Sequence, residues 1–124
     1  MNTVVAMTKQ TVSEIPMAWE SICDSDELKP FIGVCVLFNE RPVAVFRLND
    51  ETVYAIDAVD PFSGAAVLAR GIVGDIKGEV VVASPIYKQH FNLRTGCCLE
   101  DESVCLQTYS ARILDGKVQL ALLD

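Results

Sequence analysis

The sequence predicts an all-β domain, and three observations favour that class. Runs rich in β-branched and aromatic residues recur at short intervals, short polar turns separate them, and helical periodicity is scarce. The chain has 124 residues, and 51% of them are hydrophobic, which supplies a full core. This length suits a single domain that buries roughly two-thirds of its unfolded surface. We therefore expect residues 1–124 to form one domain of about seven to nine short strands, with residues 1–12 frayed.

The predicted elements follow the chain in order. "DSDELKP" (Asp24–Pro30) indicates one helical turn, capped by Asp24 or Ser25 and ended by the proline. β-rich runs bounded by turn residues predict strands at Ile32–Phe38, Pro42–Leu48, Thr52–Val59 and Glu79–Ser84. The last run, Tyr109–Leu123, has an Asp-Gly pair at 115–116 between two apolar stretches, which predicts a tight hairpin.

Two long segments lack a clear strand pattern, Asp60–Lys77 and Ser84–Asp101. Long loops in a compact domain are usually functional or disordered. Both segments contain apolar residues that we expect to anchor them in an ordered conformation. These residues are Phe62, Leu68, Ile72, Phe91 and Leu93.

The charge balance limits the classes of partner. The formal net charge is −7, whereas proteins that bind nucleic acid or anionic membranes present a basic surface. We therefore expect no nucleic-acid and no membrane partner. The acidic balance fits a chain that meets a protein partner through a local patch.

The sequence also predicts a cytoplasmic location. Residues 1–16 show no targeting signal, and no apolar run approaches the roughly 20 residues needed to span a bilayer. The five cysteines are an odd number without the spacing of a disulfide scaffold, which suits a reducing compartment. We interpret Cys23 and Cys35 as small buried residues and expect free thiols downstream.

Two motifs stand out in the long segments, "DPFSG" (Asp60–Gly64) and "SPIYKQHFNLRTG" (Ser84–Gly96). They resemble the cluster-binding loops of the Rieske [2Fe–2S] family, which read Cys-x-His-x-Gly and Cys-Pro-x-His followed by a Phe and a Thr-Gly type of turn. The resemblance extends from about Trp19 to the C terminus and implies a Rieske-like β-sandwich whose two loops pack together. Two Cys bind one iron of a Rieske cluster and two His bind the other. The four ligand places fall on Asp60, Phe62, Ser84 and Tyr87.

None of these four residues suits the cluster. Its irons need thiolates on one side and imidazole nitrogens on the other, whereas Phe62 has no lone pair and Asp60 and Ser84 offer only oxygen. We therefore expect no metal, no cofactor and no catalytic residue in this chain. Our hypothesis is a plug, in which Phe62 and Tyr87 fill the volume of the cluster while Asp60 and Ser84 hydrogen-bond to the loops.

A cluster-free Rieske domain with these motifs resembles the small subunits of cytoplasmic, NAD(P)H-dependent assimilatory nitrite reductases. The resemblance implies a large-subunit partner that carries FAD, sirohaem and an iron–sulfur cluster and reduces nitrite to ammonium. It implies that the isolated small subunit is inactive. Two other hypotheses stay open, an electron-transfer Rieske ferredoxin with atypical ligands, and an interaction module that recruits a different oxidoreductase.

The second loop also contains the candidate docking residues. Lys88, His90 and Arg94 form a local basic tip in an acidic chain, which we expect either to contact an acidic patch on the large subunit or to be solvated. His90 with Cys97, Cys98 and Cys105 would supply four zinc ligands, but their spacing does not match paired zinc knuckles. We interpret these cysteines as structural or incidental thiols, with zinc, a displaced cluster and redox signalling as the alternatives.

Overall fold

The computed structural model describes residues 18–48 and 52–121, so the frayed segment predicted for residues 1–12 lies outside the described residues. Within these ranges the chain forms strands and two short 3-10 turns, which confirms the all-β prediction. The strands are β1 (Glu20–Asp24), β2 (Val34–Phe38), β3 (Arg41–Arg47), β4 (Val53–Asp57), β5 (Ile72–Ile76), β6 (Glu79–Ala83), β7 (His90–Asn92), β8 (Thr108–Leu114) and β9 (Lys117–Ala121). In the part of the chain that the structure describes, no helix has the length and apolar character to cross a membrane.

Six strands form the larger sheet, in the order β1-β9-β8-β4-β3-β2. All its pairings are antiparallel. β3 is buried on both faces, since Val43, Ala44, Val45 and Phe46 are all fully covered. β1 is a mostly exposed edge strand that the sequence pattern does not predict, because "ESICD" shows little alternation of apolar residues.

Three hairpins share a two-residue turn in the left-handed backbone conformation. The central pairs are Asn39-Glu40 between β2 and β3, Lys77-Gly78 between β5 and β6, and Asp115-Gly116 between β8 and β9. Positive φ at both central residues matches the twist of the flanking strands. The hairpin predicted from Asp-Gly is confirmed.

The smaller sheet, β5-β6-β7, arises largely from segments that the sequence analysis treats as loops. β5 lies within Asp60–Lys77 and β7 within Ser84–Asp101, so both segments are less irregular than predicted. The β5 sequence "IVGDI" places Gly74 and Asp75 in a strand, and both residue types are depleted in strands. Pairing with β6 along five residues overrides that local preference. The expectation that Ile72 anchors its segment is wrong, because 78% of Ile72 is exposed.

Two apolar clusters fill the interior. One lies against the larger sheet and contains Phe38 and Tyr109. Their rings pack edge to face, with the ring centroids 5.8 Å apart. The other combines residues of β3 and β4 with residues of β6 and of both long segments. Leu68, Phe91 and Leu93 are almost fully buried there, which confirms them as anchors. This second cluster fixes the two long segments on the sheets.

The predicted helical turn exists as a 3-10 turn at Ser25–Glu27. Asp24 occupies the N-cap position without a side-chain capping hydrogen bond, so the capping prediction is wrong. The Asp24 carboxylate instead pairs with Lys117 across β1 and β9. A cross-strand ion pair is therefore formed in place of the local cap.

Candidate functional site

One buried hydrogen bond joins the two segments that correspond to cluster-binding loops. Ser84 Oγ donates to Asp60 Oδ2 at 2.5 Å. The exposed fraction is 0% for Asp60 and 1% for Ser84. Asp60 lies just after β4 in the larger sheet, whereas Ser84 lies directly after β6 in the smaller one. The bond therefore connects loops that leave different sheets.

The first loop turns around Asp60. Asp60 Oδ1 accepts a hydrogen bond from the Phe62 amide at 2.8 Å. The Gly64 amide donates to the Asp60 carbonyl at 2.7 Å, and Gly64 has a φ of 78°. A carboxylate that accepts the amide two residues later closes an Asx turn. Asp60 thus shapes its own loop with one oxygen and contacts Ser84 with the other.

The second loop forms the same kind of side-chain turn around Ser84. Ser84 Oγ accepts a hydrogen bond from the Ile86 amide at 3.3 Å, two residues later. The Ser84 carbonyl accepts from the Lys88 amide at 3.1 Å, and the Ser84 amide donates to Gln89 at 2.9 Å. Each loop is therefore organised by a buried polar side chain at the place of a Rieske cysteine.

A tight turn closes the second loop at Asn92–Gly96. Asn92 Oδ1 accepts hydrogen bonds from the amides of Arg94 and Thr95. Gly96 has a φ of 83°, and a Cβ atom there would lie 2.3 Å from the Leu106 carbonyl oxygen. The Thr-Gly turn recognised in the sequence thus has a steric reason for its glycine. Sequence reasoning missed Asn92, which lies in the segment without a clear strand pattern; the preference of Asn for Asx turns is the signal that could have found it.

The outer side chains of both loops are exposed. Exposure is 37% for Phe62, 42% for Ile86 and 58% for Tyr87. Lys88 is exposed beside them, with a φ of 69°. We call the surface formed by Phe62, Ile86, Tyr87 and Lys88 the two-loop tip.

The plug hypothesis is correct for the polar pair and wrong for the tyrosine. Tyr87 is too exposed to fill an internal volume. Phe62 packs partly on Phe91, with ring centroids 6.3 Å apart. The reason is that Asp60 and Ser84 touch directly, so no volume the size of a cluster remains between them for the aromatic rings to fill.

Two of the three candidate docking residues have an acidic partner. His90 Nδ1 lies 2.6 Å from Glu100 Oε2, and Arg94 Nη2 lies 3.0 Å from Glu79 Oε1. Lys88 takes part in none of the ion pairs found within residues 18–48 and 52–121. Of the three residues in the predicted basic tip, Lys88 is therefore the one without an acidic partner among these ion pairs.

Glu100 holds His90 with both carboxylate oxygens. Its Oε1 accepts the His90 amide at 2.8 Å while its Oε2 faces the ring. Burial favours a higher pKa for Glu100, but the hydrogen bonds from His90 and the charge of that ring outweigh it, so the pKa of Glu100 is lowered. Ten residues separate the pair, and no sequence motif links them.

The cysteines depart from the free-thiol prediction. Cys97 and Cys105 form a disulfide. They face each other as an isolated antiparallel pair, a proximity that their spacing of eight residues does not reveal. Cys98 is a buried free thiol. The prediction that Cys23 and Cys35 are buried is wrong, because Cys23 is only half-buried and Cys35 is exposed on edge strand β2.

The residues at the four ligand places do not fit a [2Fe–2S] cluster. The carboxylate of Asp60 and the hydroxyl of Ser84 are already bonded to each other and to loop amides. Phe62 offers no donor atom. Among the described residues, no group of three or more His, Cys, Asp or Glu side chains is arranged to hold a metal ion. The loops keep the Rieske shape with a donor set that iron disfavours.

Comparison with known proteins agrees with the Rieske shape of the fold and of its two loops. Residues 18–121 match the family model described as Rieske-like [2Fe-2S] domain. The chain is 45% identical over 103 residues to the nitrite reductase (NADH) small subunit of Escherichia coli K12, an alignment that covers 82% of this chain and 95% of that protein. The chain belongs to the Rieske-like family of nitrite reductase small subunits.

Two further relatives extend the family comparison. The solved structure of a nitrite reductase [NAD(P)H] small subunit from Erwinia carotovora superimposes with a TM-score of 0.73 at 45% identity, covering 86% of this chain and 82% of that one. A nitrite reductase [NAD(P)H] large subunit from Klebsiella oxytoca is 39% identical over 100 residues. That alignment covers 81% of this chain but 10% of the Klebsiella protein, so this relative contains a similar domain within a much longer chain.

Proposed function

We propose that this chain is the non-catalytic small subunit of a cytoplasmic assimilatory nitrite reductase, an oxidoreductase that reduces nitrite to ammonium with NAD(P)H. The observation that carries the proposal is the 45% identity across nearly the whole length of a nitrite reductase small subunit. The hydrogen bond between Asp60 and Ser84 supports the non-catalytic part, because a structural contact stands where the cluster ligands would be. The assimilatory role and the cytoplasmic location rest on the family resemblance.

The redox groups belong to the partner in this proposal. Nitrite reduction and NAD(P)H oxidation need a flavin, an iron–sulfur cluster and sirohaem, which the family resemblance assigns to the large subunit. The small subunit then contributes binding and orientation of the large chain. The Klebsiella relative supports a close association, because it contains a similar domain inside a large-subunit chain.

We assign the contact with the large subunit to the two-loop tip. Exposed aromatic and aliphatic side chains are the usual anchors of protein interfaces. The hydrogen bonds of Asp60 and Ser84 pre-order both loops, which lowers the entropic cost of binding. Lys88 adds a cation without an intramolecular acidic partner among the described ion pairs, which fits an acidic site on the large subunit.

The test measures binding of the purified large subunit to variants of the tip. The double variant Ile86→Ser, Tyr87→Ser should raise the Kd by about 30- to 700-fold, because truncating each of the two central interface anchors costs roughly 1–2 kcal/mol. Leu37→Ser is the matched control, since Leu37 is 72% exposed on β2, outside the two loops. Its Kd should stay within about twofold of the wild-type value.

The charges are tested separately. Lys88→Glu should weaken binding and reduce its dependence on salt, whereas Arg94→Gln should change it little because Arg94 already pairs with Glu79. Wild-type affinity in the Ile86, Tyr87 double variant would move the docking site elsewhere and leave the subunit role intact. Failure of the wild-type chain to bind any large subunit would overturn the proposed function.

A further inference from the structure

The disulfide Cys97–Cys105 closes a nine-residue segment directly after the Thr-Gly turn. We call residues 97–105 the acidic loop, because they include "EDE" at 100–102. Cys105 is exposed and Cys97 is half-buried, so the disulfide is open to solvent. A cavity of about 440 Å³ lies beside it, lined by Asn92, Thr95, Cys97, Cys98, Leu99 and Glu102. A small molecule or an extended chain can reach the Cys97 sulfur from this cavity.

The acidic loop is bonded to β7 next to the disulfide. Glu100 accepts the His90 amide and faces its ring, and the Leu99 amide donates to the His90 carbonyl at 2.8 Å. Within the loop, the Cys98 amide donates to the Val104 carbonyl at 2.9 Å. The disulfide and these hydrogen bonds therefore fix the conformation of the same nine residues. His90, to which the acidic loop is bonded, begins the strand that follows the two-loop tip.

We propose that Cys97 and Cys105 are a reversible dithiol–disulfide site that accepts electrons from a dithiol, and that its state sets how firmly the acidic loop holds His90. A thiolate of the dithiol attacks Cys97 Sγ, the Cys97–Cys105 bond breaks, and Cys105 leaves as a thiolate that takes up a proton. The second thiol of the reductant then displaces Cys97, which is also protonated. The protein gains two electrons and two protons, and the dithiol becomes a disulfide.

Cys98 also lines the cavity, but its surroundings keep its thiol out of the exchange. Only 1% of the residue is exposed, and its Sγ donates to Glu100 Oε1 at 3.6 Å. Burial raises the pKa of the Cys98 thiol, so little of the reactive thiolate forms. Cys98 therefore serves as an internal control beside a reactive pair.

A reducing cytoplasm favours a disulfide that forms and breaks reversibly over a permanent structural one. In reducing compartments disulfides are usually transient, catalytic or redox-sensing. That step rests on the cytoplasmic location proposed above. The experiment uses the purified chain alone, so its outcome does not depend on the nitrite reductase assignment.

The test equilibrates the native full chain with dithiothreitol and its oxidised form at a series of ratios. Thiols are then alkylated without denaturant and located by mass spectrometry, and amide hydrogen exchange is measured in both states. We expect alkylation of Cys97 and Cys105 only after reduction, with Cys98 unmodified. Exchange at the His90 and Leu99 amides should become at least tenfold faster, whereas the Val45 and Ala55 amides of the larger sheet should not change.

Variants separate the redox site from its coupling to His90. Cys97→Ser, Cys105→Ser should reproduce the reduced state without reductant, and Cys98→Ser should keep the wild-type redox response. If the double variant does not fold, reduced wild-type protein supplies the same comparison. A disulfide that resists native reduction would overturn the proposal, as would reduction that leaves His90 and Leu99 exchange unchanged.

Discussion

At the residue scale, Asp60 and Ser84 hold together two loops that a cluster holds in iron-bearing Rieske domains. A buried polar side chain is costly unless it is hydrogen-bonded. Here each of the two residues is satisfied by the other and by a loop amide. Their joint replacement of two cysteines therefore preserves a buried connection rather than leaving a cavity.

Removing the hydroxyl of Ser84 should destabilise the fold without changing its shape. We expect Ser84→Ala to lower the free energy of unfolding by about 1.5–3 kcal/mol, the usual effect of a hydrogen bond to a carboxylate. Ser63→Ala is the matched control, since Ser63 Oγ accepts an amide hydrogen bond from Ala65 within its own loop. Its effect in urea denaturation should stay below about 1 kcal/mol.

A double-mutant cycle isolates the contact between the loops. Combining Ser84→Ala with Asp60→Ala should give a coupling of about 1–3 kcal/mol, because the second substitution removes a partner already lost. Additive losses would show that the two side chains stabilise their own loops independently.

Tyr109 gives a prediction for alkaline pH. Its hydroxyl donates to Asp57 Oδ1 at 2.6 Å. Burial, then the hydrogen bond to Asp57 and the charge of that carboxylate, raise the pKa of Tyr109 far above its usual value near 10, although Arg41 opposes the shift. The contribution to stability is therefore complete below pH 10 and falls as the pH rises above it, because the unfolded phenol releases its proton first.

Tyr109→Phe should remove this part of the pH dependence. At pH 7 the variant should lose about 1–3 kcal/mol of unfolding free energy with the hydrogen bond to Asp57. Between pH 9 and 11 its urea midpoint should fall less steeply than that of the wild type. Parallel curves for the two proteins would contradict the assigned cause of the shift.

At the four ligand places, the sequence predicts which residues correspond to the ligands but not how exposed each side chain is. Gly64, Pro85, Phe91 and the Thr-Gly turn fix the register, so Asp60 and Ser84 can be placed at corresponding positions in the two loops. The exposure of Tyr87 could not be predicted, because it depends on how closely Asp60 and Ser84 approach. The partners of His90 and Arg94 also depend on tertiary packing, since Glu100 and Glu79 carry no local motif.

At the element scale, short hairpins and turns set the path of the chain. The Asp-Gly hairpin and the strands with continuous apolar runs are predictable because local preference and tertiary pairing agree. β5 and β7 are not, since β5 contains Gly74 and Asp75 and β7 has only three residues. Both form because β6 offers unpaired backbone groups on its two sides.

Two glycines allow a matched test of these turns. Gly96→Ala should lower the free energy of unfolding by about 2–4 kcal/mol, because a left-handed backbone costs roughly 1–2 kcal/mol for an L-residue and the Cβ atom would also strike the Leu106 carbonyl. Gly78→Ala has a similar φ of 88° with no atom within 4 Å of the added Cβ. It should cost only about 1–2 kcal/mol in the same denaturation assay. Equal losses of unfolding free energy in the two variants would show that the left-handed backbone, and not the contact with Leu106, causes the destabilisation.

At the scale of the whole molecule, two sheets, a shared core and a buried hydrogen bond hold the two-loop tip in a fixed shape. The core cluster of Leu68, Phe91 and Leu93 sits beneath the loops, and the Asp60–Ser84 bond closes them from within. A rigid scaffold that presents exposed apolar side chains suits recognition of a partner. The Rieske architecture can therefore serve binding after its metal ligands are replaced.

The whole-molecule prediction concerns iron. Protein purified without oxygen should contain neither iron nor acid-labile sulfide in stoichiometric amount, and its visible spectrum should lack the absorption of a [2Fe–2S] cluster. The reason is the donor set, since Asp60 and Ser84 offer hard oxygens that are already hydrogen-bonded and Phe62 offers none. A Rieske ferredoxin purified alongside provides the positive control. Two irons and two sulfides per chain would instead favour the ferredoxin hypothesis, and Cys98 with His90 would then be the first residues to replace in a search for the ligands.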